Sequence, residues 1–457
     1  MAAMFLNRED EQKRLRRAMK APGGTLAVLY GRRRCGKSTL LQRVISGQDV
    51  YYLADQKEPT LQIRDLAAEI DKTVPHFSSA GYATWDSLLL NLNDRLSRRI
   101  SLCLDEFPYL AQLSPALPSI LQKYIDRPGI KKLNLILCGS SQRMMHGLVL
   151  DRTAPLYGRA LEILKIEPLQ AGWIRDGLGL KGEKAVEAYA VWGGVPRYWE
   201  LAAPFNGLDE AIRNLVLDRN GVLHEEPLRL LLDDMRSAVQ PYSLLSVIGQ
   251  GCHRLSEIAG RLGKPATSLL RPLTQLTDLG YVRRETPFDE NEKSTRRTLY
   301  KIKDPFLLFH FRFLQPNKSQ LEVGGVSAVA AIVRKQLSLH VSGVWEELAR
   351  ASVPRSRIGG YEWGPARRWW GTGNDGSPME VDVAAEALDG SAVMVGEAKW
   401  NDAAVHIGEA RARLAAVAKN APWARGRIVV PVLWVKHGLR SPDFHIQTPD
   451  EVLVCLK

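Results

Sequence analysis

Residues Gly31-Arg32-Arg33-Arg34-Cys35-Gly36-Lys37-Ser38 set two glycines, a lysine and a hydroxyl in the pattern G-x-x-x-x-G-K-S. That spacing suits the wrapping of a polyphosphate. The glycines let backbone N–H groups turn inward, and a helix starting just after them adds a favourable dipole. Lys37 is then expected at the terminal phosphates and the Ser38 hydroxyl on magnesium. Arg32, Arg33, Arg34, Cys35 and Thr39 complete the expected cradle. Hydrolysis needs more: a carboxylate that orients water on the metal, and a group that positions the attacking water. Ile100-Ser101-Leu102-Cys103-Leu104-Asp105-Glu106 offers both at the end of an apolar run. Asp105 is the expected metal-side acid and Glu106 the expected base. Leu135–Cys138 is another apolar run, ending in Gly139-Ser140-Ser141. Ser140 either senses the γ-phosphate or caps the next helix. Arg159 and Arg197 are candidates to offset transition-state charge.

A second set of chemistry-bearing residues lies near the C-terminus. Glu380–Glu386 alternates like a strand, Asp389-Gly390 is a hairpin signal, and Ala392–Ala398 reads as the return strand. A turn centred on Asp389-Gly390 sets Asp382 opposite Glu397, with Cβ atoms ~5 Å apart and Lys399 on the same face. Facing like charges cost stability, and a divalent cation would compensate. Asp382 followed by Glu397-x-Lys399 resembles the PD-(D/E)XK restriction-endonuclease-like fold, with Glu380-Val381-Asp382 in place of the Pro-Asp pair. The resemblance implies that Asp382 and Glu397 bind magnesium and that Lys399 orients or activates water at a phosphodiester. It also implies a further glutamate from an upstream helix, a place that Glu347 fits. The alternative is a scaffold that keeps the fold without cleavage. Arg367 and Arg368, before the hairpin, either pair with acids or contact phosphate.

These groups need elements to hold them. Thr25–Tyr30, Val50–Ala54, Ser101–Leu104, Leu133–Cys138 and Leu161–Ile166 read as strands, alternating with helical stretches such as Trp85–Ser97 and Pro118–Ile125. That is an α/β pattern with a parallel sheet. Thr39–Ile45 reads as the helix after the phosphate loop, with Gly47 placed to end it. Residues 1–167 are expected to form this core, and 168–236 a helical lid broken by Gly193-Gly194-Val195-Pro196. Residues 237–304 read as helices, a turn at Gly263-Lys264-Pro265, another helix and a hairpin, the order of a winged helix-turn-helix. Ser256 is a plausible cap there. Arg283, Arg284, Lys293, Arg296 and Arg297 suit phosphate contact on the wing, whereas the third helix carries only Arg271. Such a module either contacts DNA or serves as an interaction surface. A linker over 305–330 and an α/β unit over 331–457 follow.

A chain of 457 residues accommodates about three domains. The net charge of +12 fits either a polyanionic partner such as DNA or a basic, soluble surface. Five scattered cysteines match neither a disulfide framework nor a zinc site, which points to reduced thiols and a cytoplasmic location. No apolar run reaches the ~20 residues of a membrane span. Residues 1–10 are too short and polar for a signal peptide.

The first half of the chain resembles the ATPase-domain family best known from archaea, within the AAA-like and STAND-like P-loop ATPases. The resemblance rests on Phe5-Leu6-Asn7-Arg8-Glu9, Leu29–Ser38, Leu104-Asp105-Glu106-Phe107, Gly139-Ser140-Ser141 and the Gly193–Pro196 turn. It implies ATP as ligand, with Phe5 and Arg8 on the adenine side. An arginine supplied by a neighbouring subunit would make the active form a homo-oligomer.

Overall fold

The computed structural model describes residues 5–129, 131–235, 237–401, 407–437 and 445–457. The chain divides into two compact units. The first runs up to Pro168 and takes in the short segment beginning at Leu232; the second holds Leu169–Leu231 and the chain from Ser237 onward.

In the first unit α1 (Glu9–Lys20) leads to β1 (Leu26–Tyr30), α2 (Lys37–Val44), β2 (Val50–Leu53), α3 (Pro59–Asp71) and α4 (Trp85–Arg95). Then come β3 (Ile100–Asp105), α5 (Phe107–Leu113), α6 (Leu117–Asp126), β4 (Leu133–Gly139), the single turn α7 (Gln142–Met145) and β5 (Ala160–Lys165). The strands pair in the order β2-β3-β4-β1-β5, and every pairing is parallel. All residues of β3 and β4 are buried, the pattern of strands covered on both faces. Each buried leucine contributes about 1.5–3 kcal/mol, so the sheet is the rigid base for the loops above it. Because the strands are parallel, the ends of β1, β3 and β4 emerge along one edge. The register pairs Tyr30 with Gly139 and Leu104 with Leu137. Gly31, Asp105 and Ser140 therefore leave the sheet side by side. Gly47 does not end α2: the helix stops at Val44, and the Asp49 carboxylate accepts the Ser46 N–H at 3.0 Å.

The second unit begins with α8 (Ile174–Leu178), α9 (Gly182–Trp192), α10 (Pro196–Ala202), α11 (Leu208–Ile212) and α12 (Glu226–Asp234), whose last turn counts with the first unit. Next are α13 (Val239–Gly249), α14 (Leu255–Leu262), α15 (Ala266–Asp278) and the antiparallel pair β6 (Val282–Glu285) and β7 (Leu299–Ile302). Ser256 is not the cap of α14. The Glu257 carboxylate instead accepts the backbone N–H groups of His253 and Arg254, both at 3.0 Å. The aromatic stretch expected in a linker is core. In α16 (Pro305–Phe309) and the turn after it, Phe306, Phe309, Phe311 and Phe313 are all buried. α17 (Lys318–Glu322) and the 27-residue α18 (Val326–Ser352) lead to the second sheet.

That sheet is mixed. β8 (Arg367–Thr372), β9 (Pro378–Glu386) and β10 (Ala392–Lys399) are antiparallel neighbours. After α19 (Ile407–Asn420), β11 (Ile428–Val435) and β12 (His445–Gln447) add in parallel, and α20 (Pro449–Cys455) ends the fold. The β9–β10 register pairs Val393 with Glu386 and Gly396 with Val383, as expected from a turn centred on Asp389-Gly390. The paired positions end there, one short of Asp382 and Glu397. Among the described residues, no helix is long and apolar enough to cross a membrane.

Candidate active site

The loop after β1 is shaped by two glycines. Gly31 has φ +143°, and a Cβ there would lie 2.3 Å from the Ile166 carbonyl oxygen. Gly36, at φ +88°, precedes the first residue of α2. Between them Arg34 takes φ 67°, a left-handed conformation that a non-glycine residue adopts at a cost. Lys37 is buried, and its Nζ donates to the carbonyls of Gly31 at 2.7 Å and Arg32 at 3.0 Å. The ammonium thus sits inside the ring of loop backbone. Arg8 clamps the loop from behind. It is buried and donates to the carbonyls of Cys35 at 3.4 Å and of Glu167, while pairing with Glu11 at 3.0 Å. Phe5 lies beneath the Arg43 guanidinium, 4.3 Å from ring centroid to carbon.

Asp105 is 1% exposed at the end of β3. Its carboxylate accepts the Tyr51 hydroxyl at 2.7 Å and the Glu106 N–H at 3.0 Å. Burial, then the bond and charge of Asp105, hold the Tyr51 hydroxyl well above the usual phenol range, so it stays a proton donor. Burial followed by the Asp105 charge likewise pushes the Cys103 and Cys138 thiols up. Neither is a candidate nucleophile.

Glu106 stands at φ 54°, and its Oε2 accepts the Ser140 hydroxyl at 2.9 Å and the Ser140 N–H at 3.2 Å. Ser140 therefore engages the acid. The cap of α7 is Ser141, whose hydroxyl accepts the Met144 N–H at 3.4 Å. Arg33 reaches Tyr109 at 2.6 Å, Ser140 at 3.4 Å and the Asp233 carboxylate at 3.1 Å. Of the arginines expected to complete the site, Arg159 is elsewhere in the first unit. Arg159 precedes β5 at the far end of the parallel sheet, with Ala160 paired to Leu26. The five residues of β1 place it roughly 16 Å from the phosphate loop. Its guanidinium is bonded to Asp126 at 2.7–3.0 Å. Arg197 lies in the second unit and pairs with Glu200 at 2.8 Å.

On the C-terminal hairpin, Asp382 Oδ2 accepts the Ala398 N–H at 3.1 Å. Glu397 is bridged by Lys399 and Arg413, each at 2.6 Å. Its charge is thus balanced by two cations rather than left facing Asp382. Glu347 is paired with cations. It is held by Arg283 and by Arg350, a buried arginine that also donates to the Asp382 carbonyl at 2.6 Å. The helix acid that feels Asp382 is Glu346. Burial, then the Asp382 charge, raise the Glu346 carboxyl above its ordinary range, against the pull of Arg350. Among the described residues, no group of three or more His, Cys, Asp or Glu side chains is arranged to hold a metal ion. Arg367 pairs with Glu292 and Arg368 with Glu380.

Glu346 gives a prediction with a fixed sign. A carboxyl whose folded-state pKa is raised binds its proton better when folded, so its contribution to stability falls as pH rises through that pKa. Glu346→Gln is expected to raise Tm at pH 7, with the gain shrinking towards pH 4. Thermal unfolding at the two pH values checks this; an equal or negative shift at pH 7 would contradict it.

Three of the arginines expected on a wing, Arg283, Arg284 and Arg297, are engaged within the second unit. Arg283 bonds Glu285 at 2.7 Å as well as Glu347. Arg284 donates to the Glu292 carbonyl at 2.9 Å, and Arg297 pairs with Glu290. Burial acts to raise the Glu285 carboxyl, but Arg283, Lys301 and Arg350 together hold it well below the carboxylate range. Arg271, Lys293 and Arg296 are exposed.

Residues 5–201 match a family described as an ATPase domain predominantly from Archaea, and residues 310–412 a family of archaeal and bacterial proteins of unknown function. An uncharacterized protein of Methanocaldococcus jannaschii is 29% identical over 406 residues, 87% of this chain and 88% of that one. A Walker-type ATPase of Pyrococcus abyssi has a similar fold, with TM-score 0.52 and 20% identity over 67% of this chain and 96% of its own. The Aeropyrum pernix ORC2 protein, solved with ADPNP and ADP, gives a TM-score of 0.41 and 17% identity over 72% and 95% of the two chains. The protein is an ATPase: it carries an archaeal-type ATPase domain, followed by a C-terminal region shared with archaeal and bacterial proteins of unknown function.

Proposed function

We propose that the edge formed by Gly31–Thr39, Asp105, Glu106 and Ser140 binds ATP with magnesium and hydrolyses the γ-phosphate. The observation that carries this reading is that Lys37 and Ser38 follow β1 while Asp105 and Glu106 end β3, the two strands that flank β4 in the parallel sheet, so that all four stand at its carboxyl edge. Lys37 would leave the loop carbonyls for the terminal phosphates. Ser38, which follows Lys37 at the start of α2, and Asp105 at the end of β3 are both oxygen donors and suit magnesium, which takes few protein ligands and keeps several waters. The metal would neutralise charge on the phosphates. Glu106 would polarise the attacking water once Ser140 yields its carboxylate. Arg8 would fix the loop from behind, and Phe5 would stand on the base side.

For the second unit we propose a DNA-binding winged helix over 237–304 and a restriction-endonuclease-like domain over 331–457, with residues 168–236 as the lid. The net charge of +12 supports DNA as partner, contacted through Arg271, Lys293 and Arg296. The mixed sheet with Asp382 on β9 and Glu397 and Lys399 on β10 supports a nuclease-like site, with Glu346 replacing Glu347 as the helix acid. A second reading, a regulatory ATPase whose C-terminal parts are interaction modules, is favoured by the internal pairing of Arg283, Arg284 and Arg297 and of Glu397. Incubating wild type and Asp382→Ala with labelled duplex and single-stranded DNA, ATP and magnesium or manganese separates them. Metal-dependent cutting by wild type that falls at least about 100-fold in the variant is the expected result. A gel shift on the same DNA reads affinity. Binding without cutting sinks the nuclease, and neither binding nor cutting favours the second reading.

A further inference from the structure

A cavity of about 380 Å³ opens beside Glu106 in the first unit, walled by Arg33, Ser140, Ser141 and Arg143 among others. Its two arginines differ. Arg33 is committed to Tyr109, Ser140 and Asp233. Arg143 is in α7, just past the end of β4, and its Nε is buried without a hydrogen-bond partner among the described residues. A buried guanidinium donor left unbonded costs free energy unless a ligand takes it up. Here it borders the space next to the proposed base, at the edge of the sheet where the phosphate loop lies.

We infer that Arg143 contacts the γ-phosphoryl oxygens of ATP and is a catalytic residue, in the role for which Arg159 is misplaced. The inference rests on the reading of Lys37, Ser38, Asp105 and Glu106 as the ATP site. In the step, the water oxygen bonds to the γ-phosphorus as the bond from phosphorus to the ADP oxygen breaks. ADP leaves with the bonding pair, and the water proton passes to Glu106. Negative charge then grows on the bridging and γ-phosphoryl oxygens, and a guanidinium already in place stabilises it.

The test compares Arg143→Ala, Arg143→Lys and Lys37→Ala in steady-state ATP hydrolysis and in binding of ADP with and without aluminium fluoride. Arg143→Ala is expected to lose about 10²–10³-fold in kcat. Its ADP affinity should stay within about 3-fold of wild type, while the extra affinity given by aluminium fluoride disappears. Arg143→Lys should recover part of kcat, since it keeps the charge but not the fork of donors. Wild-type turnover by Arg143→Ala overturns the inference. So does a loss of ADP affinity as large as the loss of turnover, which would mark a structural role. Undiminished hydrolysis by Lys37→Ala would instead sink the site reading, and this inference with it.

Discussion

Glu106→Gln is expected to bind ATP with near wild-type affinity while turnover drops by about 10²–10⁴-fold. The amide keeps the size of the side chain and can still accept the Ser140 hydroxyl, whose bond to Glu106 is 2.9 Å long. It cannot take a proton from water. Asp105 and Lys37 are untouched, so the nucleotide should still be held. Filter binding of labelled ATP beside a phosphate-release assay reads both quantities. If the variant turned over at the wild-type rate, Glu106 would not be the base, and its bond to Ser140 would be only a structural link between β3 and β4.

Lys37→Ala should lose both binding and turnover, with kcat/KM down about 10²–10³-fold. The side chain is buried and answers two loop carbonyls, at 2.7 and 3.0 Å. Removing it leaves those carbonyls facing inward and takes away the cation expected on the terminal phosphates. Both changes repel a polyanion. The fold should survive, because the strands beneath are apolar and closed. Nucleotide titration by intrinsic fluorescence, with circular dichroism as a check on folding, measures the loss. Unaltered ATP affinity in a folded variant would refute the assignment.

The parts of this architecture governed by short-range rules were legible in the chain. β1 to β5 lie within about a residue of the runs read from the sequence; β3 and β4, buried throughout, show the continuous hydrophobicity that marks strands covered on both faces. The C-terminal hairpin register followed from the turn dipeptide and the two-residue period of strands. What failed to show depends on rotation and tertiary pairing. Glu346 and Glu347 are neighbours on a helix, pointing about 100° apart, and sequence spacing alone does not say which one turns to Asp382. Tyr51 reads as an ordinary strand tyrosine until the β2–β3 pairing brings it to Asp105. Arginines are long, and 62 lysines and arginines leave many choices. Direction along the sheet excluded Arg159, and a shared cavity wall selected Arg143. A strand end followed by a polar turn and an arginine, Gly139-Ser140-Ser141-Gln142-Arg143, is the signal that could have found it.

A magnesium-dependent ATP-hydrolysing site formed by Gly31–Thr39 with Asp105 and Glu106 is what we propose. The most direct measurement is phosphate release from ATP by the purified wild-type protein, with magnesium present and then removed by chelation. Steady release with magnesium, loss on chelation and recovery when magnesium is restored are expected. Release that continues unchanged without divalent metal, or none with it while ATP is bound, would contradict the account.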